Sequence, residues 1–310
     1  MISNLISEEF ERLKDKFSSI QHYQRLVAKN TENILEKLLN DEERNQNAPE
    51  IFKDIVGTSY DSFYYPAPCT GEPLIYSHKK TSIQEIIQLT YLVKNKQYQW
   101  LLSEAYEAFE DFIEMVYAHC GFVENDFWSM QHRKKLSQAS DTSDIENFKI
   151  ASKNISVFEI LNRIRCKVPR IKNDENGHSI HGHLRFYLIL IEKIRHVVVH
   201  VNGITADKEK FAKEILDKCN VSGNKEVEPI VRNMIEEYFG TEEYSNYINL
   251  LERNIKHPSG LPLNSNIQEK LINKMLTYAH LLITHLNSYF EPVNSDSQVR
   301  KSLSSGTLQG

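Results

Sequence analysis

The longest strongly apolar segment of the chain lies between Leu184 and Gly203. Its hydrophobic side chains recur at every third or fourth position, the spacing of one face of an α-helix. These residues are Leu184, Tyr187, Leu188, Ile191, Ile194, Val198 and Val201. Apolar residues also fill the other faces, as in helices that are buried on all sides. Asn202-Gly203 predicts the end of the helix, because glycine readily adopts the left-handed conformation found there. We expect a central buried helix, although the β-branched run Val197–Val199 would also suit a strand.

Similar spacing predicts helices over most of the remaining chain. A long amphipathic helix is expected from Ser7 to about Asn40, as an outer helix of a bundle or as an arm that binds a partner. Ser82 and Glu85 have the spacing of a capping box and begin a helix that extends to about His119, with a possible break at 94–97. Further helices are predicted at 125–136, 144–166, 205–219, 227–239, 242–255 and 267–290. The fold class is therefore all-α, a helical bundle.

Residues 51–80 interrupt this pattern. Glycine and proline mark a loop or hairpin here, and aromatic residues crowd it. The rings either cover a face of the bundle or lie exposed, where they can stack on bases. We divide the chain into an N-terminal helix with an aromatic loop (1–80), a helical bundle (81–290) and a tail (291–310) that is expected to be disordered because it has few apolar residues.

The composition narrows the classes of function. The 310 residues are 40% hydrophobic and 25% charged, as in an ordinary globular domain. The net charge of −5 provides no overall field that attracts nucleic acid, so an RNA site must be a local patch. Four isolated cysteines argue against a zinc knuckle and fit reduced thiols in a cytoplasm. The first residues do not resemble a signal peptide, and the central helix is too short and too charged to span a bilayer, so we expect a cytoplasmic protein without a membrane partner.

The candidate chemistry lies at the end of the central helix. Arg195 and His200 are five residues apart, about 140° around the helix axis, and both can reach one surface near its end. Glu192 precedes His196 by one turn and is placed to orient it. The helix before residue 119 carries an acidic face, and from it we expect Glu110 to pair with Arg195.

The segment from Arg195 to His200 resembles the R-polar-x-x-x-H motif of the HEPN superfamily, with His196 as the polar residue and Asn202-Gly203 at the end of the helix. The stretch from Trp100 to Tyr117 is similar to the acidic, aromatic first helix of HEPN bundles. The resemblance covers residues 82–290 and leaves 1–80 as an addition.

The resemblance implies a metal-independent endoribonuclease that works without a cofactor and leaves 2′,3′-cyclic phosphate ends. Arg195, His200 and His196 would be catalytic, supported by Glu192, Glu110 and Asn202. It also implies a homodimer in which two motifs face each other, with part of the apolar surface of the central helix at the interface. Such proteins are commonly toxins or antiviral effectors, held in check by an antitoxin or another regulatory protein, and tRNA is a target by analogy.

A second informative stretch precedes the central helix. It carries a basic cluster in a segment that Pro169 and the turn-forming run NDENG predict to be a loop. The cluster consists of Arg163, Arg165, Lys167, Arg170 and Lys172. It either binds RNA phosphates beside the active site or is a plain solvated loop. His178, His181 and His183 follow; a metal site is conceivable, but their spacing does not select one, and we predict none.

Two alternatives to catalysis remain open. One is a non-catalytic HEPN-like bundle that binds a nucleotide, RNA or a partner protein. In the other, Arg195 and His200 only hold the bundle together.

Overall fold

The computed structural model describes residues 2–51, 58–136, 145–177, 183–256 and 262–291. The described chain is mostly helical and also contains two antiparallel two-stranded hairpins. The main helices are α1 (Ile2–Gln46), α2 (Ile83–Val123), α3 (Met130–Leu136), α4 (Ile145–Ser152), α5 (Val157–Lys167), α6 (Pro169–Gly177), α7 (Leu184–Val201), α8 (Lys208–Lys218), α9 (Glu228–Glu236) and α10 (Ile267–Phe290). The strands are β1 (Thr58–Pro66), β2 (Pro73–Ser82), β3 (Arg253–Lys256) and β4 (Pro262–Ser265). The expected disordered tail lies outside the described residues, except for Glu291.

The predicted central helix is confirmed as α7. Its first three turns are buried almost completely, and Ile189, Leu190, Ile191 and Ile194 are inaccessible to solvent. These side chains belong to one hydrophobic core that also contains residues of α1, α2 and α10. The apolar surface of α7 therefore lies mainly in the interior of one chain, and only Val199 and Val201 remain substantially exposed at its end.

The two longest helices, α1 and α2, pack against each other and run antiparallel. Side-chain bonds fix their register, with Lys16 to Glu104 at 2.5 Å near one end and Gln84 to Glu42 at 3.0 Å near the other. The first half of α1 buries its apolar stripe in the core, which confirms its assignment as a bundle helix. Beyond Gln24 none of its large apolar side chains is fully buried, and Leu26, Ile34 and Leu39 are exposed.

The possible break at 94–97 is absent from α2, which is continuous from Ile83 to Val123. Buried polar side chains at these positions explain the misleading pattern. Lys94 donates to Glu252 at 2.8 Å, and Asn95 donates to the carbonyl of Ile248 at 2.8 Å and accepts from the backbone of Leu250 at 2.8 Å. These polar residues face inwards because they bind a non-helical segment of the chain.

That segment is where the predicted helix at 242–255 is wrong. It contains one short 3₁₀ turn at Glu242–Tyr244, an isolated bridge between Phe239 and Ile248, and strand β3. Several of its backbone groups bond outside the segment: the Ile248 carbonyl accepts from the side chains of Asn95 and Gln99, and the Ile248 amide donates to the Gly203 carbonyl at 2.9 Å. The segment therefore does not need helical hydrogen bonds.

Other predicted boundaries also shift. The helix expected at 144–166 is divided into α4 and α5, and Ser156 caps the second by accepting from the backbone of Glu159. The helix expected at 125–136 is a 3₁₀ turn at Asn125–Phe127 followed by α3. The capping box at Ser82 and Glu85 is confirmed.

The aromatic segment at 51–80 contains a β-hairpin, one of the two forms expected. Strands β1 and β2 pair from Thr58–Ser82 to Pro66–Pro73, with a bulge next to Phe63. The rings do not cover the bundle; all five aromatic residues of the hairpin are exposed, and Phe63 and Tyr65 both pack against Tyr76. The interpretation of this segment as a cover for a bundle face is therefore wrong.

No helix in the described part of the chain is long and apolar enough to cross a membrane. All four cysteines are free thiols, and Cys69 and Cys166 are exposed.

Candidate active site

The candidate site lies where α7 ends, and this end is tightly defined. Asn202 adopts the left-handed conformation with φ 60°, and Gly203 follows with φ 81°. Lys96 of α2 donates to the Asn202 carbonyl at 2.8 Å and also binds its side-chain oxygen. A Cβ atom on Gly203 would lie 2.3 Å from Oε1 of Gln99, so a larger residue would have to displace that side chain as well as adopt a positive φ. The predicted end of the helix is confirmed, and Asn202 helps to form it through its left-handed backbone and its bonds to Lys96.

The motif residues lie on the solvent side of α7. His196 and His200 are exposed and one turn apart, and their ring centroids are separated by 4.6 Å. Arg195 lies beside them, with 28% of its side chain exposed. The two imidazoles thus lie together on the solvent side of the last two turns of α7, and Arg195, on the same turns, is partly accessible.

The carboxylate nearest to Arg195 is Glu107, not Glu110 as expected. Nη2 of Arg195 lies 3.5 Å from Oε1 of Glu107, a loose ion pair. Nε of Arg195 is buried and has no hydrogen-bond partner among the described residues. The guanidinium is thus contacted by α2 through Nη2, whereas its buried Nε cannot reach a ligand at the surface.

Glu110 lies one turn further along α2 and is half-buried. Burial raises the pKa of its carboxyl to about 7, a shift that the charge of Arg195 opposes and those of Glu114 and Glu107 assist. Burial therefore disfavours the ionised form of Glu110, although the charge of the Arg195 guanidinium favours it.

Glu192 has a different partner from the one expected. It forms an ion pair with Lys218 of α8 at 2.9 Å, rather than the predicted orienting contact with His196. Glu192 also lines a polar cleft of about 750 Å³ between α2, the α4–α5 connection and the start of α7. The charged residues of this cleft are Glu110, Glu114, Glu192, Lys153, Arg185 and Lys218. Equal numbers of both signs make it a polar surface without a strong preference for phosphate.

The basic cluster is largely structural, and the loop predicted for it is wrong. Arg163, Arg165 and Lys167 lie in α5, and Arg170 and Lys172 lie in α6. Arg165 is buried and forms an ion pair with Glu175 at 2.9 Å. Lys167 pairs with Glu124 at 3.1 Å.

Arg163 is also engaged within the fold, since it donates to the carbonyls of Asp126, Phe127 and Trp128 at 2.7–3.3 Å. Of the five residues in the cluster, only Arg170 and Lys172 are exposed. The expected RNA-binding surface is thereby reduced to two cations on α6.

The histidines that precede α7 provide no metal site in the part of the chain described. His183 is exposed at the start of α7, whereas His178 and His181 lie outside the described residues. No group of three or more histidine, cysteine, aspartate or glutamate side chains is arranged to hold a metal ion within the described ranges.

Sequence reasoning missed the residues that support the site from α2. Lys96 binds Asn202 at the end of α7, Gln99 leaves no room for a side chain at Gly203 without moving, and Glu107 pairs with Arg195. A signal was present, because polar residues interrupt the apolar pattern of α2 near its middle. Comparison of the chain with protein-family models, curated proteins and solved structures found no match.

Proposed function

We propose that this protein is a metal-independent endoribonuclease of the HEPN type. The observation that supports this most strongly is the exposed pair His196 and His200, with the partly exposed Arg195, at the fixed end of a buried helix. Two imidazoles and a guanidinium are sufficient for transesterification of RNA, because the substrate brings its own nucleophile. The R-polar-x-x-x-H pattern of the sequence points to the same chemistry.

In the proposed reaction the 2′-oxygen attacks the adjacent phosphorus and the bond from phosphorus to the 5′-oxygen breaks. One imidazole accepts the proton of the 2′-hydroxyl, and an imidazolium donates a proton to the departing 5′-oxygen. His200 and His196 are the groups for these transfers. The products are a 2′,3′-cyclic phosphate and a 5′-hydroxyl, and the step itself consumes no water.

Arg195 is suited to stabilise charge on the phosphorane. Its guanidinium presents several donors in a fixed plane, a geometry that matches the oxygens of a phosphate. Glu107 holds one end of the group from outside the substrate surface. We infer that this contact orients Arg195 and that RNA replaces or supplements it.

Two copies would make a more complete site. Each chain offers one short motif, and a two-fold axis would bring a second set of histidines and a second arginine to the same phosphodiester. The proposed enzyme is therefore a homodimer. By the same resemblance we propose a cytoplasmic toxin or antiviral defence effector, restrained by an antitoxin or regulatory protein, with tRNA as a candidate substrate.

Incubation of the purified protein with total RNA in excess EDTA tests this proposal. The expected result is fragmentation in EDTA, with 2′,3′-cyclic phosphate and 5′-hydroxyl ends. Arg195→Ala and His200→Ala variants, purified in the same way, control for contaminating nucleases. Folded variants that cut RNA as fast as the parent would exclude the assignment.

The second candidate function is a non-catalytic module that binds RNA or a partner protein. The exposed hairpin favours it, because five aromatic rings lie on a two-stranded sheet that stands largely clear of the bundle. Single-stranded RNA stacks on such rings. Titration with single-stranded RNA at several salt concentrations would show binding without turnover if this candidate is correct.

A further inference from the structure

The polar cleft between α2, the α4–α5 connection and α7 has the size of a ligand site. Its volume of about 750 Å³ falls within the range of roughly 300–1,000 Å³ that is usual for pockets holding small ligands. Glu110 lines it from α2, Lys153 from the α4–α5 connection and Glu192 from α7. Tyr106 and Phe158 add aromatic surface. The cleft therefore offers ring contacts together with charged groups of both signs.

Contacts between α2 and α7 place Glu110 close to the motif. Glu107 pairs with Arg195, and Lys96 binds Asn202, so the two helices run antiparallel. Glu110, almost one turn after Glu107, therefore lies about one turn from the level of Arg195, towards the start of α7. Burial raises the pKa of Glu110 and the charge of Arg195 opposes that shift, so the two side chains lie within electrostatic range of each other.

The cleft and the motif also share one stripe of α7. At about 100° per residue, Arg185, Glu192 and His196 lie within about 40° of one another around the helix. The first two line the cleft, and His196 is exposed in the proposed active site. Glu192 and His196 are separated by a rise of about 6 Å along the axis. One nucleotide of an extended strand spans such a distance, so RNA with a phosphate at His196 can place a neighbouring base in the cleft.

Two charged groups in the cleft lack a partner within the described ranges. Neither Glu110 nor Lys153 forms a hydrogen bond or a close ion pair there, whereas Glu192 is paired with Lys218 at 2.9 Å. Polar groups that turn inwards usually find a partner, so an unpaired, half-buried carboxyl in a cleft indicates a position for a ligand. Burial raises the pKa of Glu110 to about 7, and donors from a ligand would favour its ionised form.

We propose that this cleft binds a guanine base of the RNA, in the nucleotide next to the scissile phosphate. This inference rests on the proposed function and adds a base preference to it. The N1–H and N2–H groups of guanine donate to the two carboxylate oxygens of Glu110, and its O6 accepts from Nζ of Lys153. The ring of Phe158 contacts the base.

The arrangement of donors and acceptors selects guanine. An ionised carboxylate only accepts hydrogen bonds, and its two oxygens match two adjacent donors. Guanine is the one standard base with two adjacent donors on its pairing edge, and an acceptor, O6, lies beside them. Uracil has a single ring N–H, and adenine and cytosine have an amino group beside a ring nitrogen that accepts. A carboxylate with a cation nearby therefore complements guanine better than the other three.

Binding of RNA hexamers that cannot be cleaved tests the inference. Each hexamer consists of 2′-O-methyl nucleotides, all uridine except for one central guanosine or inosine, so no 2′-hydroxyl is available to attack. Inosine lacks only the 2-amino group of guanosine. The parent protein is expected to bind the guanosine hexamer about tenfold more tightly, because the lost bond is one to a charged acceptor. An all-uridine hexamer should bind no more tightly than the inosine hexamer.

Two variants with matched controls locate the base. Glu110→Gln should remove the preference for guanosine over inosine, because an amide keeps only one acceptor oxygen; Asp111→Asn, at an exposed carboxylate outside the cleft, should retain it. Lys153→Ala should weaken binding of the guanosine hexamer by about threefold to tenfold, and Lys213→Ala, at an exposed cation on α8 outside the cleft, should have little effect. Equal affinity of the parent for the two hexamers, or a preference that survives Glu110→Gln, would overturn the inference.

The base site and the nuclease fail in different ways. A chain that prefers the guanosine hexamer but never cuts RNA keeps the base site and removes the nuclease. A chain that cuts RNA without guanosine next to its cut sites, and binds both hexamers equally, removes the base site and leaves the nuclease.

Discussion

His196 and His200 lie one turn apart at the end of α7, with their ring centroids separated by 4.6 Å and both rings open to solvent. This distance allows both imidazoles to contact one bound phosphodiester. It also allows the pair to exchange roles as proton acceptor and proton donor.

We therefore predict that His200→Ala and His196→Ala each lower kcat/KM for RNA cleavage by about 100-fold or more, the usual contribution of a general acid or base. The double variant should have a kcat/KM close to that of the less active single variant, because the effects of substituting groups that act as a unit are not additive. Val199→Ala, an exposed neighbour on the same turn, is the control. Full activity of both single variants would show that the ring pair does not transfer protons.

Glu110 predicts a pH-dependent change in stability. Its pKa is raised by burial to about 7, so the folded state holds a proton that the unfolded chain releases near pH 4.5. Stability is therefore lost as the pH rises from about 4.5 to 7. Glu110→Gln should raise the free energy of unfolding by about 1–2 kcal/mol at pH 8 and leave it nearly unchanged at pH 4.5, after allowance for partial exposure.

Urea unfolding of parent and variant at the two pH values measures this difference. Asp111→Asn, at the neighbouring exposed carboxylate, serves as the control for the removal of one acidic group from α2. An equal effect of Glu110→Gln at both pH values would mean that ionisation of Glu110 is not the cause.

One methyl group added at Gly203 is expected to lower the free energy of unfolding strongly. Gly203→Ala would combine a backbone at φ 81° with a Cβ atom 2.3 Å from Gln99, whose side chain is itself bonded to Ile248. We expect a loss of about 2–4 kcal/mol in the free energy of unfolding.

Gly223→Ala is a matched control for this change. Gly223 has φ 80°, but no atom lies within 4 Å of its added Cβ, so only backbone strain applies. Gly223→Ala should lower the free energy of unfolding by only about 1 kcal/mol. Equal losses at the two glycines would show that the contact with Gln99 does not determine the end of α7.

Substitution of Arg165 is expected to lower the free energy of unfolding without removing a contact to RNA. Its guanidinium binds Glu175 and the hydroxyl of Tyr278 in the interior. Arg165→Met would leave the buried carboxylate of Glu175 without its cation, which should cost about 3–5 kcal/mol in the free energy of unfolding. A neutral result in thermal or urea unfolding would contradict the buried ion pair.

Substitution of Arg170 and Lys172 is expected to weaken RNA binding and to leave the free energy of unfolding nearly unchanged. Both are exposed on α6, so the double alanine variant should unfold within about 0.5 kcal/mol of the parent. If they contact phosphates, its affinity for single-stranded RNA should fall, and the slope of log K against log salt concentration should become shallower by about 1.4. An unchanged salt dependence would identify them as ordinary surface cations.

Much of the helical framework could be predicted from the sequence, because long runs of regularly spaced apolar residues have one stable arrangement. The apolar pattern identified α7, and Asn202-Gly203 located its end. The capping box similarly located the start of α2.

Several of the failures have a common physical cause, since the sequence does not show which polar side chains are buried and bonded to distant parts of the chain. Asn95 and Gln99 face inwards because they bind the backbone near Ile248, which no local pattern announces. Arg165 is buried because Glu175, ten residues later on a separate helix, reaches it.

The choice of Glu110 over Glu107 as the partner of Arg195 failed for a related reason. Successive residues on a helix differ by about 100°, so which acid lies closest to α7 depends on the rotation of α2 in the assembled bundle. The sequence contains the candidates for that contact but not the rotation that selects one of them.

The central claim is that Arg195 and His200 cut RNA through its own 2′-hydroxyl. The most direct measurement is the cleavage rate of a defined RNA oligonucleotide in EDTA, compared with the same oligonucleotide carrying 2′-deoxyribose at the cut site. The account predicts a cyclic phosphate product from the first, no cleavage of the second, and loss of activity in Arg195→Ala and His200→Ala. Cleavage of the deoxy-substituted oligonucleotide at the same position, or full activity of the two variants, would contradict it.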